Sequence, residues 1–357
     1  MSKHTSHNRP LRVVQWATGT VGTSALRGII QHPDLELVGV RVYSDAKAGK
    51  DAGDLCGLAP VGIAATQVVP SLLATRPDCV VYMPDRTDVD ELCGILASGA
   101  NVVTTRADFF NPAMMAPELR ERVEAACREG NSSLHATGSS PGFVTEALIP
   151  PLLSLQRNLD LLTIDEFADC VDTCSDDMLL NIMGFGAPPQ VFERTEFTER
   201  DTTFGHSLGV VAAAIGLPFD HVEVSSEFAV ARSPVQLRET VIDAGTVGGQ
   251  RHTVTGFCSG RPVLRFRSNW YVTTDLDKAW ALRDDGWQIT VEGDTPVELT
   301  MRFPIGSDPV TRAAIMPNVT AHRPINSIAA VCAAPAGIVT SATLPQIFAR
   351  LGPAPRR

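Results

Sequence analysis

The first 150 residues alternate short apolar runs, rich in β-branched side chains, with stretches in which apolar positions recur at helical spacing. Such an alternation is typical of a parallel sheet whose strands are joined by crossover helices. The pattern predicts strands at residues 11–16, 36–43, 79–83, 101–105 and 132–137. It predicts helices at residues 24–30, 89–97 and 117–129, the last opening with a proline that suits a first helical turn.

The pattern changes after Pro150 and Pro151, where longer strands follow one another with few helices between them. Strands are predicted at residues 159–167, 221–231, 249–256, 262–270 and 287–292, an arrangement that favours an antiparallel or mixed sheet. Residues 326–334, between Pro324 and Pro335, predict a short apolar helix. We therefore expect a doubly wound α/β domain over residues 1–150, an α+β domain over 151–322, and a segment over 323–357 that returns to the first domain.

The chain has 357 residues, of which 44% are hydrophobic and 20% charged, and a formal net charge of -10. This composition indicates a globular protein, and the negative charge makes nucleic acid and anionic membrane surfaces unfavourable partners. Eight cysteines without a C-x-x-C pair or a regular spacing to histidine indicate reduced thiols and no metal site. Since the first ten residues carry no apolar leader and no apolar run reaches the ~18 residues of a membrane span, we expect a cytoplasmic protein.

A glycine turn follows the first predicted strand, in a G-x-x-G-x-x-A pattern that begins at Gly19. A backbone without side chains lets N–H groups approach a pyrophosphate, and the helix that follows presents its positive N-terminus. The pattern predicts dinucleotide binding at Thr18, Gly19, Thr20, Val21 and Gly22; the alternative is an ordinary strand-to-helix turn. Gly22 is expected at the surface beside the pyrophosphate, so that a valine there should block binding and leave the fold intact.

The end of the second predicted strand indicates which dinucleotide fits. NAD-binding chains usually place an acid about 20 residues after the glycines, whereas the 2′-phosphate of NADP prefers hydroxyl and cationic groups. Here Ser44 lies at the tip of the strand, and Asp45 lies slightly beyond the position where the acid is usual. Arg41, Lys47 and Lys50 supply positive charge. NADP is therefore favoured over NAD, with Ser44 and Lys47 as contacts. The alternative is that the two lysines are solvated loop residues.

Three further runs, taken with the glycine turn, resemble a known family. They are Gly-Ala-Asn-Val-Val-Thr-Thr at residues 99–105, Ala-Thr-Gly-Ser-Ser-Pro-Gly-Phe at 136–143 and Arg-Pro-Ile-Asn-Ser-Ile at 323–328. In this order they are similar to the 2,4-diaminopentanoate dehydrogenase and native NAD(P)H-dependent amine dehydrogenase family, a distant relative of dihydrodipicolinate reductase. The resemblance implies a Rossmann domain, a second domain whose sheet covers the substrate, and a homodimer. It also implies NAD(P)-dependent interconversion of a primary amine with a ketone or aldehyde plus ammonia.

Further site residues are expected within this resemblance. The expected cofactor contacts beyond the glycine turn and the strand tip are Met83, Pro84, Thr105 and Asn326. The expected lining of the substrate pocket is Ser140, Phe143 and Met178. Two positions depart from the family pattern, because Ser140 stands where asparagine is usual and Asp108 lies in the neighbourhood where a glutamate is expected.

Asp108 and His206 are the candidate catalytic residues. Reductive amination needs a group that guides ammonia to the carbonyl and transfers protons as water leaves, and a carboxylate can do both. Asp108 follows a predicted parallel strand at its carboxyl end, where ligands of open α/β sheets bind; the alternative is an aspartate that caps the turn before Asn111. His206 is expected just ahead of an apolar helix, where it binds a substrate oxygen or nitrogen or is merely structural.

Other polar residues are interpreted without a catalytic role. His135 is predicted to be a hydrogen-bonded core histidine. The acidic residues Asp165, Glu166, Asp169, Asp172, Asp176 and Asp177 predict a solvated turn region rather than an ammonium-binding surface. The sequence does not contain the H-E-x-x-H motif of zinc proteases. Two other functions stay open: an imine or semialdehyde reductase on the same scaffold, and an NADPH-binding sensor without turnover.

Overall fold

The structure is a computed structural model that describes residues 9–171, 174–194, 199–306 and 308–351. The chain forms two compact units. One consists of Met1–Ala147 together with Pro317–Arg357, and the other of Leu148–Met316.

The first unit is built on a six-stranded parallel sheet. Its strands, numbered along the whole chain, are β1 (Leu11–Trp16), β2 (Leu35–Arg41), β3 (Cys79–Tyr82), β4 (Asn101–Thr104), β5 (Ser133–Ala136) and β14 (Gly337–Val339). They are arranged in the order β14-β5-β4-β3-β1-β2, and all pairs are parallel. The five strands predicted here agree with the structure to within two residues at each end, whereas the sequence pattern did not predict β14.

Helices lie between the strands of this unit along the chain. They are α1 (Thr20–Gln31), α2 (Ala52–Leu55), α3 (Val69–Leu73), α4 (Val89–Ala97), α5 (Pro117–Gly130) and, from Pro317 onward, α8 (Pro309–Cys332). Short 3₁₀ helices cover Ala107–Phe109 and Pro112–Met114. Within Ser139–Leu148 the helical turns are interrupted by a kink at which the backbone of Ser140, Pro141 and Gly142 is not helical.

Both faces of the parallel sheet are covered, which explains why its strands are apolar on both sides. On one face Val14 and Val80 pack in a cluster with Leu92 of α4. On the other face Val13 packs in a cluster with Ile325 of α8. Helices on both faces make this the doubly wound, Rossmann-type sheet that the sequence predicts.

Helix α8 differs from its prediction. A helix was expected to start only after Pro324, because proline lacks an N–H group and its ring clashes with the carbonyl four residues earlier. Instead α8 continues through Pro317 and Pro324. These prolines are seven residues apart, about two turns, so the backbone hydrogen bonds they cannot make lie on one side of the helix. Ser327 Oγ donates a hydrogen bond of 2.7 Å to the Pro324 carbonyl.

The second unit contains a six-stranded mixed sheet, as predicted. Its strands are β6 (Leu159–Asp169), β7 (His221–Val230), β10 (Val247–Cys258), β11 (Arg261–Tyr271), β12 (Gly286–Gly293) and β13 (Val297–Arg302). They are ordered β13-β12-β6-β11-β10-β7, with β6 and β11 parallel and the other pairs antiparallel. The remaining elements are α6 (Ile149–Leu153), α7 (Glu199–Ala214), the hairpin of β8 (Val235–Gln236) and β9 (Val241–Ile242), and short helices at Met178–Ile182 and Pro189–Arg194.

The parallel sheet has a topological switch point at β1. From β1 the chain passes to β2 on one side of it, and then crosses to β3 on the other side. Open α/β sheets bind ligands outside the carboxyl ends of the strands at such a point. A ligand site is therefore expected at the residues that follow β1, β2 and β3.

Candidate active site

The turn between β1 and α1 presents an open backbone at the switch point. Ala17, directly after β1, lies in the left-handed region with a φ of 74°, and Gly19 caps α1. No described side chain caps this helix. Apart from Gly19 and its two chain neighbours, no heavy atom of the described residues lies within 4 Å of the place where a Cβ atom on Gly19 would be. Gly19 and Thr20 are exposed. The first N–H groups of α1 are therefore available to an anion, as a pyrophosphate requires.

Gly22 has a different environment from the one predicted. It is buried in the first turn of α1, and a Cβ atom on it would lie 2.4 Å from the main-chain oxygen of Ala17. That oxygen also accepts a hydrogen bond of 2.8 Å from Gln15 Nε2. Gly22 therefore permits close approach of the helix to the end of the strand. The expectation that it lies at the surface is wrong, and a side chain there would meet a main-chain oxygen.

The tip of β2 contacts the glycine turn through a lysine. Lys47 Nζ donates a hydrogen bond of 2.7 Å to the carbonyl of Thr18 and lies 3.3 Å from Thr18 Oγ1. Ser44 is exposed, and its Oγ accepts a hydrogen bond of 3.2 Å from the N–H of Ala46. Asp45 Oδ1 accepts one of 2.8 Å from Gln67 Nε2. The structure thus brings Lys47 into contact with Thr18. Ser44 lies three residues before Lys47 in the same loop and is exposed.

A second network at this tip was not predicted. Glu91, in the first turn of α4, accepts hydrogen bonds from Trp16 Nε1 at 2.8 Å and from the Tyr43 hydroxyl at 3.1 Å. The Arg41 guanidinium stacks over the Tyr43 ring, with its Cζ 4.4 Å from the ring centroid, and its Nε lies 4.0 Å from Glu91 Oε2. Burial raises the pKa of Tyr43 to about 12, so the phenol keeps its proton at neutral pH and donates it. The spacing of residues along the sequence could not predict this network, because its members come from three separate segments of the chain.

The ends of β3 and β4 carry the next predicted residues. Met83 and Pro84 are buried, and the N–H of Met83 donates to the Trp16 carbonyl at 3.0 Å, next to the glycine turn. Thr105 is half-buried at the end of β4. These three residues lie at the carboxyl edge of the sheet, as expected for cofactor contacts.

Asp108 is held by groups from two loops. Its Oδ2 accepts a hydrogen bond of 2.8 Å from Thr87 Oγ1 and forms an ion pair of 3.3 Å with Arg106 Nη2. Arg106 Nη1 in turn donates to the Asp85 carbonyl at 2.6 Å. The Asp108 side chain is 26% exposed, and its Oδ1 has no hydrogen-bond partner among the residues that the structure describes. Oδ2 is thus held in place, and Oδ1 is available to a ligand.

The end of β5 leads into a turn held by α8. Ser139 Oγ lies 2.9 Å from Thr320 Oγ1, and the Arg323 guanidinium lies 5.9 Å from the centroid of the half-exposed Phe143 ring. Ser140 Oγ is buried without a hydrogen-bond partner in the described part of the chain. Asn326, one helical turn beyond Arg323, is half-buried. The predicted residues of the 136–143 and 323–328 runs therefore meet in one region of the first unit.

Beneath this turn lies a group of buried titratable side chains. Thr145 Oγ1 donates to Glu146 Oε2 at 2.7 Å, and burial lowers the pKa of Arg323 while the carboxylate of Glu146 opposes that shift. His135, within β5, lies 2.9 Å from the Val339 carbonyl through Nδ1, and burial lowers its pKa to about 4. It is therefore a neutral, hydrogen-bonded core histidine, as predicted.

The second unit holds His206 and Met178. His206 lies inside α7 rather than ahead of it, because the polar residues 199–203, which show no apolar periodicity, are already helical. Its side chain is half-buried, and burial lowers its pKa. Met178 opens the short helix Met178–Ile182 and is 39% exposed.

The interpretation of the acidic residues as a solvated turn region is wrong for Asp165, Glu166 and Asp169, because these three lie on strand β6. Glu166 is buried on β6, where its two oxygens accept hydrogen bonds from Trp270 Nε1 at 2.9 Å and Trp287 Nε1 at 2.8 Å. Asp165 forms an ion pair of 3.2 Å with an arginine of β11. Alternation along a strand places such neighbours on opposite faces of the sheet. Asp172 lies outside the described residues.

The described ranges contain neither a metal-binding cluster nor a membrane-spanning helix. No group of three or more histidine, cysteine, aspartate or glutamate side chains is arranged to hold a metal ion. No helix in these ranges combines the length and apolar character needed to cross a membrane.

Comparison with known proteins gives three findings. Residues 184–355 match the family described as the 2,4-diaminopentanoate dehydrogenase C-terminal domain. An amine dehydrogenase of Streptomyces virginiae is 29% identical over 305 residues, which cover 82% of this chain and 84% of that protein. The structure of an amine dehydrogenase from Mycobacterium smegmatis superposes with a TM-score of 0.76 at 22% identity, covering 96% of this chain and 98% of that one.

A fourth finding extends the fold likeness. GenD2 from gentamicin A biosynthesis, solved in complex with NAD, superposes with a TM-score of 0.53 at 14% identity and covers 92% of this chain and 89% of its own. The family resemblance read from the motifs and the two-domain α/β fold are both confirmed by these relatives.

Proposed function

Because this chain is a relative of the 2,4-diaminopentanoate dehydrogenases and amine dehydrogenases, we propose that it is an NAD(P)-dependent oxidoreductase acting on amines. More specifically, it interconverts a primary amine with a ketone or aldehyde plus ammonia. The observation that carries the proposal is the open glycine turn at the switch point of a parallel sheet, in a chain similar over 82% of its length to a protein named amine dehydrogenase.

The residues at the switch point fit a dinucleotide. The space at Gly19 is open, and the uncapped N-terminus of α1 offers main-chain N–H groups to a pyrophosphate. When bound, the nicotinamide supplies or accepts a hydride. The residues proposed to hold the cofactor are Thr18, Gly19, Thr20, Val21, Ser44, Lys47, Met83, Pro84, Thr105 and Asn326. Gly22 supports them indirectly, because it lets α1 approach β1.

Asp108 is proposed as the group that orients ammonia and accepts or returns a proton. Thr87 and Arg106 fix its Oδ2, so that Oδ1 is held in one direction. An oriented carboxylate lowers the entropy cost of bringing ammonia to a carbonyl carbon. It can take a proton from the nitrogen of the ammonia adduct and return it to the hydroxyl oxygen of the carbinolamine, which then leaves as water. Arg106 and Thr87 are positioning residues in this scheme.

Ser140 and Phe143 are proposed to line the substrate pocket, where they supply a hydroxyl and an apolar ring. Met178, whose thioether is exposed, is proposed as a further lining residue. His206 is proposed to hydrogen-bond a substrate oxygen or nitrogen. Because burial lowers its pKa, the imidazole is neutral at pH 7 and can donate through one nitrogen and accept through the other.

Three finer properties complete the proposal. NADP is preferred over NAD, supported by the exposed Ser44 hydroxyl and the cationic Lys47 beside the glycine turn. The active form is a homodimer, as the family resemblance implies. The protein works in the cytoplasm, in keeping with eight cysteines that are all free thiols.

A screen of ketones and aldehydes with ammonia and NADPH, followed by nicotinamide absorbance and by amine detection, tests this function. We expect NADPH oxidation that requires both carbonyl compound and ammonia and yields the primary amine. The matched control omits ammonia. Oxidation without ammonia would indicate a carbonyl reductase, turnover of preformed imines alone would indicate an imine reductase, and tight NADPH binding with no oxidation of any substrate would indicate a sensor.

A further inference from the structure

The Tyr43 side chain is exposed and yet is held in place by two neighbouring side chains. Its side chain is 52% exposed at the end of β2. Nevertheless, its hydroxyl donates to Glu91 at 3.1 Å, and the Arg41 guanidinium covers the ring at 4.4 Å from its centroid. An exposed aromatic ring usually moves among rotamers, so a ring held at its hydroxyl and on its face has already lost that freedom.

The restraint connects the ring to the glycine turn. Glu91 Oε1, which accepts from Tyr43, also accepts from Trp16 Nε1 at 2.8 Å, and Trp16 is the last residue of β1. Trp16 is completely buried in the core of the first unit. The position of the Tyr43 ring is thereby fixed relative to the strand that leads into the open turn at Gly19.

The charges of the network balance each other. Arg41 and Glu91 are each only 12% exposed in their side chains and lie 4.0 Å apart, so the carboxylate does not face the site as an unpaired negative charge. The guanidinium, in turn, lies against the π face of Tyr43, an arrangement that stabilises both groups. What the network presents outward is an aromatic ring and no net charge.

We propose that the exposed part of the Tyr43 ring is the stacking platform for the adenine of the dinucleotide, and that Glu91 is the residue that positions it. The adenosine half of a dinucleotide lies beside the β1 and β2 ends in doubly wound folds, next to the glycine turn. Every base presents a π face, and stacking on a tyrosine needs no specific hydrogen bond. This inference rests on the proposed function only in requiring that the chain binds a dinucleotide.

Calorimetric titration with NADPH and with its two halves tests the proposal. The halves are 2′,5′-ADP, which carries the adenine, and reduced nicotinamide mononucleotide, which does not. In Tyr43→Leu we expect the affinities for NADPH and 2′,5′-ADP to fall by about tenfold or more, and the affinity for the mononucleotide to stay unchanged. Tyr43→Phe keeps the ring and should retain affinity to within about threefold. Phe348→Leu, which removes another exposed aromatic ring of the first unit, is the matched control and should change nothing.

The outcomes separate this inference from the proposed function. Unchanged 2′,5′-ADP affinity in Tyr43→Leu, or an equal loss for the mononucleotide, overturns the platform and leaves the amine dehydrogenase proposal standing. Tight NADPH binding that depends on Tyr43, without turnover of any amine, overturns the proposed reaction and leaves the platform standing. A parent chain that binds neither NADPH nor 2′,5′-ADP overturns both.

Discussion

The main-chain oxygen of Ala17 faces Gly22 so closely that a Cβ atom on the glycine would lie 2.4 Å from it, whereas at Gly19 the equivalent space is open among the described residues. The two glycines of the turn therefore have separable roles. Gly22 lets backbone pack against backbone where β1 meets α1, and Gly19 leaves room for a ligand. Substitutions at the two positions should have opposite effects on stability and binding.

Gly22→Ala should destabilise the protein. The added methyl group meets a main-chain oxygen that cannot move aside without shifting the strand end, and such overpacking typically costs about 1–3 kcal/mol. Urea unfolding measures the loss. The matched control is Gly94→Ala in α4, where no heavy atom of the described residues outside its chain neighbours and its own helix backbone lies within 4 Å of the new methyl group. Gly94→Ala should be neutral or stabilising by up to about 1 kcal/mol. Equal stabilities for the two variants would contradict the assigned role of Gly22.

Gly19→Val should leave stability unchanged and weaken dinucleotide binding. Its φ of −68° suits any residue, and the new side chain enters open space. There it obstructs access to the first N–H groups of α1, and loss of one charge-assisted hydrogen bond to a phosphate corresponds to about tenfold or more in affinity. Titration with NADPH and a thermal melt check both parts. A folded Gly19→Val protein with parental affinity would show that the turn is an ordinary connection.

Strands β1 to β4 of the first unit could be predicted because each carries two or more β-branched residues in a short run between turn-forming residues, whereas β5, with the sequence Ser-Leu-His-Ala, has none. β14 could not be predicted, because Gly337–Val339 is three residues long and follows a proline, so it is too short to show any periodicity. The start of α8 was also missed. Local rules end a helix before Pro324, and only packing of Ile325 and Ile328 in the sheet cluster explains why it continues.

The site could be predicted only where it is local in sequence. The glycine turn and the loop after β4 follow from their position at the ends of predicted strands. The contact of Lys47 with Thr18, the Glu91 network and the holding of Asp108 by Thr87 all join segments far apart along the chain. Such contacts depend on the order of strands in the sheet, which spacing along one sequence does not reveal.

Lys47 and Ser44 should set the preference between cofactors. If Lys47 leaves Thr18 to meet a 2′-phosphate, Lys47→Met will lower NADPH affinity by about tenfold and NADH affinity much less, since only NADPH carries that charge. Ser44→Asp should reverse the preference, because a carboxylate repels the 2′-phosphate and accepts from the ribose hydroxyls. Fluorescence titration measures the affinities of the parent and of each variant for NADPH and NADH. Lys50→Met, which removes an exposed lysine of the same loop, is the control. Equal losses for NADPH and NADH in Lys47→Met would mean that the lysine only supports the turn.

His135 should make stability depend on pH. Its pKa of about 4 in the fold lies below the ordinary value of 6.5, because burial disfavours the imidazolium. Between these values the unfolded chain binds a proton that the folded chain does not, so stability is full above about pH 6.5 and falls as the pH drops toward 4. From about pH 7.5 to about pH 5 the loss is about 2 kcal/mol. Urea unfolding of the parent and of His135→Asn at both pH values tests this, and the variant should lose less. Identical losses in the two proteins would remove His135 as the cause.

Asp108 carries the proposed proton transfer, and its variants separate catalysis from structure. Asp108→Asn keeps the size of the side chain and removes the base, so turnover should fall by about 10² or more while NADPH affinity is kept. Asp108→Glu moves the carboxylate outward from Thr87 and Arg106. It should gain activity on simple ketones with ammonia if the shorter acid is a defect, and lose activity if the pocket is built around aspartate. Initial rates at saturating NADPH distinguish these outcomes.

The control for Asp108 is a second aspartate that is also paired with an arginine. Asp90 forms an ion pair with Arg122 on the exposed side of α4, and Asp90→Asn should leave turnover unchanged. Thr87→Val removes only the hydroxyl that fixes Oδ2, so a positioning role predicts a smaller loss in turnover than Asp108→Asn with cofactor affinity retained. If Asp108→Asn and Asp108→Glu both match the parent on every substrate, Asp108 serves only to join the loops after β3 and β4. The proton must then be carried by another group, and His206, neutral at pH 7 because burial lowers its pKa, is the next to be substituted.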